Sequence, residues 1–364
     1  MKTKKVVAVV ETDAPDRIGG FAPPDAVSKA IAAHLVDFFR HEIKAGRLSG
    51  RLLRLRAEMK VPGRAWLEMR AEPDGEGRIR TSVLAYSGDT DTCDGLVEAA
   101  RGADFTVLAV PSQTLRENLT EWVPFLPDEA VLVSLMKGVE LGTLKRMSEV
   151  IGEVADVPES RIAVVSGPNL AREIAHREPA ASVVACADED VATMLQARVH
   201  SAAFRPYTSV DVLGCELGGA YKNVVALCVG MAVGLGFGDN TTASLITRGL
   251  AETARLAMNL GANPLTLMGL AGLGDLVATC SSPLSRNRTF GEKLGQGMTT
   301  ADIYASTRQV AEGAKSCKSL LALARRTGVD APIAEHVDAV VDGRMTALDM
   351  MNSFIARDTK AETD

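Results

Sequence analysis

The chain has 364 residues, 46% of them hydrophobic, and a formal net charge of −6. That length exceeds what a single hydrophobic core usually fills, so two domains are expected, with apolar content enough for both. The acidic balance argues against nucleic acid as a main partner, because a phosphate backbone calls for a concentrated basic face, and only the stretch from Arg47 to Arg80 is locally Arg-rich.

In chain order, Lys5 to Val10 is a strand candidate. Pro23 and Pro24 then lead into an amphipathic helix over 25–45, whose Val27, Ile31, Leu35, Phe38 and Phe39 fall at helical spacing. From Arg54 to Asp91 the residues are Arg, Glu, Gly and Pro around Trp66 with no sustained period, and no element is assigned there. Beyond Thr92 a short helix is expected, then strands at Phe105 to Val110, Ala130 to Met136, Arg161 to Val165 and Ala181 to Ala185, and a last short one near Phe204. Helices starting at Leu115 and Leu144 and a helix over Glu189 to His200 fall between them. Strands alternating with helices predict a mostly parallel sheet covered on both faces, an α/β Rossmann-type arrangement. After Val210 only helices are predicted, broken at Gly236 to Gly238, Gly261 to Pro264, Gly269 to Gly274, Ser281 to Pro283 and Gly328 to Pro332. The organisation expected is an atypical N-terminal segment (1–55), a junction (56–91), a partial cofactor domain (92–208) and an all-α substrate domain (209–358).

The six cysteines are widely spaced with no CxxC, which predicts neither a zinc site nor a disulfide framework and fits a cytoplasmic protein. The five histidines show neither metal spacing nor a neighbouring Ser or Cys motif, so no metal and no triad is expected. The opening has too few consecutive apolar residues for a secretory signal, and the longest apolar run, Val224 to Phe237, suits a buried core helix, not a membrane span.

Several segments carry groups with chemical potential. Lys222, in GGAYKN, precedes that apolar run and is read as a lysine at the start of a largely buried helix. Burial disfavours its charged form, and Lys137, in SLMKGVE just past a strand end, is a second cation able to lower its pKa further; the bland alternative is that both lysines cap or snorkel. SGPNLARE, from Ser166, follows a strand and opens a helix whose free N–H groups could face an anion or the cofactor's carboxamide side. GLAGLGD, Gly269 to Asp275, imitates a nucleotide fingerprint but lacks the preceding strand, and is read as a helix-linking loop that positions Asp275. In SRNRTFG, Arg286 offers a planar fork for phosphate oxygens, with Ser285 and Asn287 adding neutral donors; an exposed helix start is the alternative. Glu312, in QVAEG, is an acceptor for ribose or amide groups, or a plain surface glutamate.

Taken in order, LAVPSQTLRE, SLMKGVE, VVSGPNLARE, ELGGAYKNVVAL, GLAGLGDLVATC, SPLSRNRTFG and QVAEG closely resemble the NAD(P)-dependent glycerol-3-phosphate dehydrogenase family over about 92–356. The resemblance implies a Rossmann-type cofactor domain followed by an all-helical substrate domain. It implies reversible oxidation of sn-glycerol 3-phosphate to dihydroxyacetone phosphate with NAD or NADP, in the service of phospholipid synthesis. It makes Lys222 the proton acceptor. It places Lys137, Gly167, Asn169, Lys222, Asp275, Ser285, Arg286 and Asn287 around the substrate, and Lys137, Ala171, Arg286, Val310 and Glu312 against the cofactor. A homodimer is also expected, with neither nucleic acid nor an integral membrane segment. Asn169 departs from the Ser or Thr usual in the family.

The opening departs further. No GxGxxG occurs in the first hundred residues, and the first strand runs into Glu11, Asp13 and Asp16, carboxylates where a pyrophosphate would be repelled. VVAVVETDAPDR and the residues on to about Leu55 resemble part of the acetyl-CoA hydrolase and CoA-transferase family. A catalytically impaired chimeric remnant, a CoA-thioester enzyme fragment and a hydroxy-acid dehydrogenase are therefore the alternatives to glycerol-3-phosphate dehydrogenase.

Overall fold

A computed structural model describes residues 6–11, 53–59, 65–73, 79–87, 104–306, 311–357 and 361. The helix expected over 25–45 and the short helix after Thr92 lie outside the described residues. The chain forms two compact units, one of Met1–Val110 with Glu117–Ser134 and one of Pro111–Arg116 with Leu135–Asp364.

In the first unit, β1 (Val6–Glu11), β2 (Leu53–Met59), β3 (Ala65–Pro73) and β4 (Ile79–Ser87) pair antiparallel in sequence order. β4 then pairs in parallel with β5 (Phe105–Leu108), and β5 with β6 (Val131–Ser134). The stretch from Arg54 to Asp91, where no element was expected, thus holds three strands. Their sequences do alternate, as in Leu53-Arg54-Leu55-Arg56-Ala57-Glu58-Met59, and a period of two survives a high density of charge when the polar positions share one face. β5 and β6 are buried at every position, the pattern of strands covered on both faces.

The second unit contains β7 (Ile162–Ser166), β8 (Ala180–Cys186) and β9 (Phe204–Ser209). β8 and β9 are parallel, but β7 and β8 are antiparallel, a reversal that the alternating grammar does not reveal. Along the chain, α1 (Leu115–Trp122) falls between β5 and β6, most of it in the first unit, while α2 (Met147–Ala155), α3 (Ala171–Ala175) and α4 (Glu189–Val199) belong to the second. α2 starts three residues after the expected Leu144, which takes a positive φ of 57°.

Among the described residues every element after Ser209 is a helix: α5 (Val212–Gly234), α6 (Asp239–Asn259), α7 (Pro264–Met268), a π-helical turn (Leu270–Gly274), α8 (Asp275–Ser281), α9 (Arg286–Gly295), α10 (Thr300–Ser306), α11 (Glu312–Thr327), α12 (Pro332–Val341) and α13 (Ala347–Ile355). α5 is the axis of this bundle. It is long and apolar enough to cross a membrane, yet 83% of its most apolar window is buried within the protein. Asp211 caps its first turn by accepting from Gly214 N at 2.8 Å, so the helix begins ten residues before Lys222. The sequence reading placed Lys222 at a helix start, and the cap moves it to the middle.

Glycine sets the spacing between α5 and α9. A Cβ on Gly230 would lie 2.1 Å from Arg288 O, one on Gly234 2.1 Å from Glu292 O, and one on Gly291 2.1 Å from Leu227 O. The two backbones touch, and no side chain separates them. Gly230→Ala forces them apart and is expected to cost about 2–4 kcal/mol, read as a lower urea midpoint with an unchanged slope.

Candidate active site

Asp275 opens α8 directly out of the π-helical turn and is 1% exposed. The GLAGLG segment is therefore helical and not the linking loop expected, although it does position Asp275. Such π turns commonly sit beside functional groups because they displace one residue from the regular helical face.

The Asp275 carboxylate holds two ammonium groups. Lys137 Nζ donates to Oδ2 at 2.5 Å and Lys222 Nζ to Oδ1 at 2.5 Å, while Thr279, one turn along α8, reaches Oδ1 at 3.4 Å. Lys137 also donates to the carbonyl of Gly167 at 3.0 Å. Gly218 and Gly219 lie one turn before Lys222, and each is needed as glycine. A Cβ on the first would meet Ala271 O of the π turn at 2.7 Å, and one on the second would meet Ser166 Oγ at 2.8 Å and the Lys137 stem at 3.4 Å. Burial holds Lys222 down from its ordinary 10.5 to about 8; the Lys137 ammonium pushes the same way and Asp275 opposes both. Two positive charges facing one carboxylate in a dry wall favour release of a proton from one of them.

Asn287 belongs to the same constellation through Asn223. Asn223 Nδ2 donates to Lys137 O at 3.4 Å, Asn287 Nδ2 donates to Asn223 Oδ1 at 2.8 Å, and Gly313 N donates to Asn287 Oδ1 at 3.0 Å. A Cβ on Gly313 would stand 2.7 Å from Asn223 O. Glu312, the preceding residue, accepts from Ser112 N at 3.3 Å. Burial raises its carboxyl, opposed by that N–H and by the charges of Arg286, Lys137 and Lys222. Ser285 is the N-cap of α9, accepting from Arg288 N at 3.2 Å. The next residue, Arg286, is exposed, and its guanidinium has no hydrogen-bond partner among the described residues.

Gly167 has φ 149° and packs on Ser182, whose Oγ would be 2.9 Å from a Cβ there. The Ser182 hydroxyl donates to Ser166 O at 2.9 Å and so must accept from Asn169 Nδ2 at 3.0 Å. That assigns the Asn169 amide: its Oδ1 is the free end, buried without a partner, as is Ser166 Oγ. Ala171 is exposed at the start of α3 and joins none of these contacts. Val310 lies outside the described residues. Asn223, Ser182 and Ser112 escaped the sequence reading because they act through bonds distant in sequence, while Asn223, beside Lys222, and Thr279, four residues after Asp275, had neighbours that could have flagged them.

A family model described as the NAD-dependent glycerol-3-phosphate dehydrogenase C-terminus matches residues 211–352, and one described as the N-terminus matches 86–192. The glycerol-3-phosphate dehydrogenase (NAD(P)+) of Streptomyces griseus is 64% identical over 265 residues, 73% of this chain and 79% of the relative. The chain belongs to the NAD-dependent glycerol-3-phosphate dehydrogenase family. The Thermobifida fusca glycerol-3-phosphate dehydrogenase (NAD(P)+) is 62% identical over 75% of this chain and 81% of its own length. The crystal structure of glycerol-3-phosphate dehydrogenase from Coxiella burnetii aligns with a TM-score of 0.69 at 34% identity, covering 73% of this chain and 81% of that one. A glycerol-3-phosphate dehydrogenase structure from Saccharomyces cerevisiae aligns with a TM-score of 0.62 at 25% identity, over 70% and 76%. The fold is accordingly that of the family, a Rossmann-like sheet domain with an all-helical C-terminal domain, and the family uses NAD or NADP.

The charge arrangement gives signed expectations for Lys222. Its half-titration, followed by pH-dependent amine labelling and peptide mass spectrometry, is expected near pH 8. Lys137→Met, which removes a repelling cation, is expected to raise it, and Asp275→Asn, which removes the stabilising anion, to lower it.

Proposed function

We propose that this chain is a glycerol-3-phosphate dehydrogenase, interconverting sn-glycerol 3-phosphate and dihydroxyacetone phosphate with NAD or NADP. The observation that carries the reading is the Lys137–Asp275–Lys222 cluster, in which a buried lysine is held at about 8. Neutral Lys222 accepts the C2 hydroxyl proton of glycerol 3-phosphate and, protonated, returns it to the C2 oxygen in the reverse direction. A bound nicotinamide would supply the hydride acceptor for C2. Lys137 orients the reacting oxygen and keeps Lys222 near neutrality. Arg286, exposed and without a hydrogen-bond partner among the described residues, grips the phosphate, with Asn287 and the Ser285 hydroxyl hydrogen beside it. That remote grip supplies binding energy which fixes C2 against the amine.

The donor set suits the nicotinamide end of a dinucleotide. The half-buried Glu312 carboxyl and the unpartnered Asn169 Oδ1 are acceptors for amide or ribose hydrogens, and Ala171 and Val310 complete the proposed cofactor contacts with Lys137 and Arg286. Gly167 lines the substrate side through its carbonyl on Lys137. The same reading makes 92–208 the cofactor part and 209–358 the substrate part. It sets the enzyme in the cytoplasm as a homodimer that supplies glycerol 3-phosphate for phospholipid synthesis; the five cysteines among the described residues are free and buried, which suits a reducing compartment. The likeness of 5–55 to a CoA-thioester enzyme rests on sequence alone, and only 6–11 and 53–55 of that stretch are described.

Titrating NADH or NADPH against the chain, then assaying dihydroxyacetone phosphate reduction, tests the reading. Saturable fluorescence quenching and turnover are expected; no binding at millimolar cofactor points to the impaired remnant, and acetyl-CoA turnover insensitive to Lys222→Ala to the CoA-thioester fragment. Lys222→Ala is expected to lower kcat at least about 100-fold, the usual worth of a positioned acid or base. Arg286→Ala acts chiefly on KM for the phosphoester, and an unchanged KM, with turnover of a non-phosphorylated hydroxy acid, contradicts the assignment. The pH dependence has opposite signs in the two directions. Glycerol phosphate oxidation needs neutral Lys222 and rises as pH passes about 8, whereas reduction needs its protonated form and falls there.

A further inference from the structure

The loop that leaves Lys137 returns on itself before α2. Val139 bridges Arg146, and Glu140 N donates to Lys145 O at 2.9 Å, closing the loop at its base. From that base, Arg146 reaches Glu216 on α5 at 2.6 Å. Ser148, in the first turn of α2, donates its hydroxyl to the same oxygen, Oε2, at 2.6 Å and its backbone N–H to Oε1 at 2.8 Å. Glu216 is 5% exposed and stands six residues before Lys222 on one helix. Its carboxylate therefore ties the chain segment carrying one lysine to the helix carrying the other.

We propose that Glu216 is a positioning residue for the lysine pair, stapling the Lys137 loop to α5 so that both ammonium groups reach Asp275 together. Among the described residues the other side-chain hydrogen bond between the Lys137 segment and α5 is the Asn223 amide on Lys137 O, which at 3.4 Å is long and uncharged; Val139 adds apolar packing in the core cluster that holds Leu217, Tyr221 and Val224. The Glu216 contacts are short and charge-assisted, the stronger class, and its carboxylate is buried, whereas Arg146 is partly exposed and also pairs with Glu149 at 3.3 Å. The charged and titratable groups around Glu216 are Arg146 and Cys215, with the Ser148 hydroxyl as a neutral donor. Those around Lys222 are Lys137 and Asp275 in contact, with Cys280 and Glu312 further off. Cys215 also feels the Lys137 charge, but Glu216 is not among the groups acting on Lys222, so its influence there passes through the placement of Lys137. Freed from the staple, the Lys137 ammonium withdraws. Lys222 then loses a repelling charge and keeps Asp275 to itself, and both changes raise its half-titration point.

Glu252 provides the matched control. It too is a buried carboxyl tied to α5, accepting from Tyr221 Oη at 2.6 Å and from Ile333 N and Ala334 N of α12 at 2.9 Å and 3.0 Å. None of these partners belongs to the Lys137 loop. Because the significance of the staple rests on Lys222 as the proton-transfer group, the readout is the titration of Lys222 by amine labelling, which needs neither substrate nor cofactor. Failure of the staple and absence of dehydrogenase activity are thereby seen separately. The unaltered chain is expected to titrate at about 8. Glu216→Ala is expected to move that point up by about one unit, the scale of one lost charge coupling. Glu216→Gln, which keeps the volume and one acceptor, is expected to move it up by less, and Glu252→Gln to leave it in place. Either an unshifted Glu216→Ala or an equal shift in Glu252→Gln overturns the proposal. Should Glu216→Ala fail to fold, Glu216→Gln against Glu252→Gln decides it by the same criterion.

Discussion

One carboxylate shared between two ammonium groups is the constraint on which the rest of this structure turns. Asp275 compensates one positive charge, and Lys137 and Lys222 bring two, each at 2.5 Å. In bulk water the surplus would be trivial. In a wall where Asp275 is 1% exposed, an uncompensated ammonium is costly, and the least expensive relief is for Lys222 to shed its proton close to neutrality. The same surplus suits the site to an anionic ligand.

The architecture around this triad consists largely of devices that hold backbones at fixed distances. The π turn delivers Asp275, Gly218 lets that turn approach α5, and Gly219 lets the Lys137 stem lie along it. Asn223 and Asn287 carry the arrangement on to α9 and to the first turn of α11, where Glu312 faces Ser112. Glu216 and Glu252, one toward α2 and one toward α12, fix α5 against rotation. Each of these carboxyls keeps several donors, which is what makes its burial tolerable.

Much of this was legible in the sequence, for reasons that differ by element. The helical half declared itself through glycine and proline breaks, and Lys222, Lys137, Asp275 and Asn287 could be named because their motifs recur in order. The structure joins these four by hydrogen bonds, directly or through Asn223. What stayed hidden depends on contacts far apart in sequence. The orientation of β7 against β8 is set by packing, not by local pattern. Lys222 was misplaced along its helix because the capping Asp211 lies outside the apolar run that announced it. GLAGLG looked like a loop because three glycines in six residues suppress ordinary helix propensity; its hydrogen-bond partners make it a π turn. The strands over 53–87 were missed because their alternation was masked by arginine and glutamate.

The glycine contact between α5 and α9 has a consequence for how this protein can change. Lys222 and Arg286 sit on helices whose separation is set where main-chain atoms meet, as at Gly230 and Gly291. Hydrophobic residues elsewhere in the bundle can therefore drift in size over many generations while the spacing of the two helices stays constant, a ruler that core volume does not stretch. Alterations that resize the ligand cavity would have to come from the loops and helix ends that carry Lys137, Asn169 and Glu312, leaving the two central rods as they are.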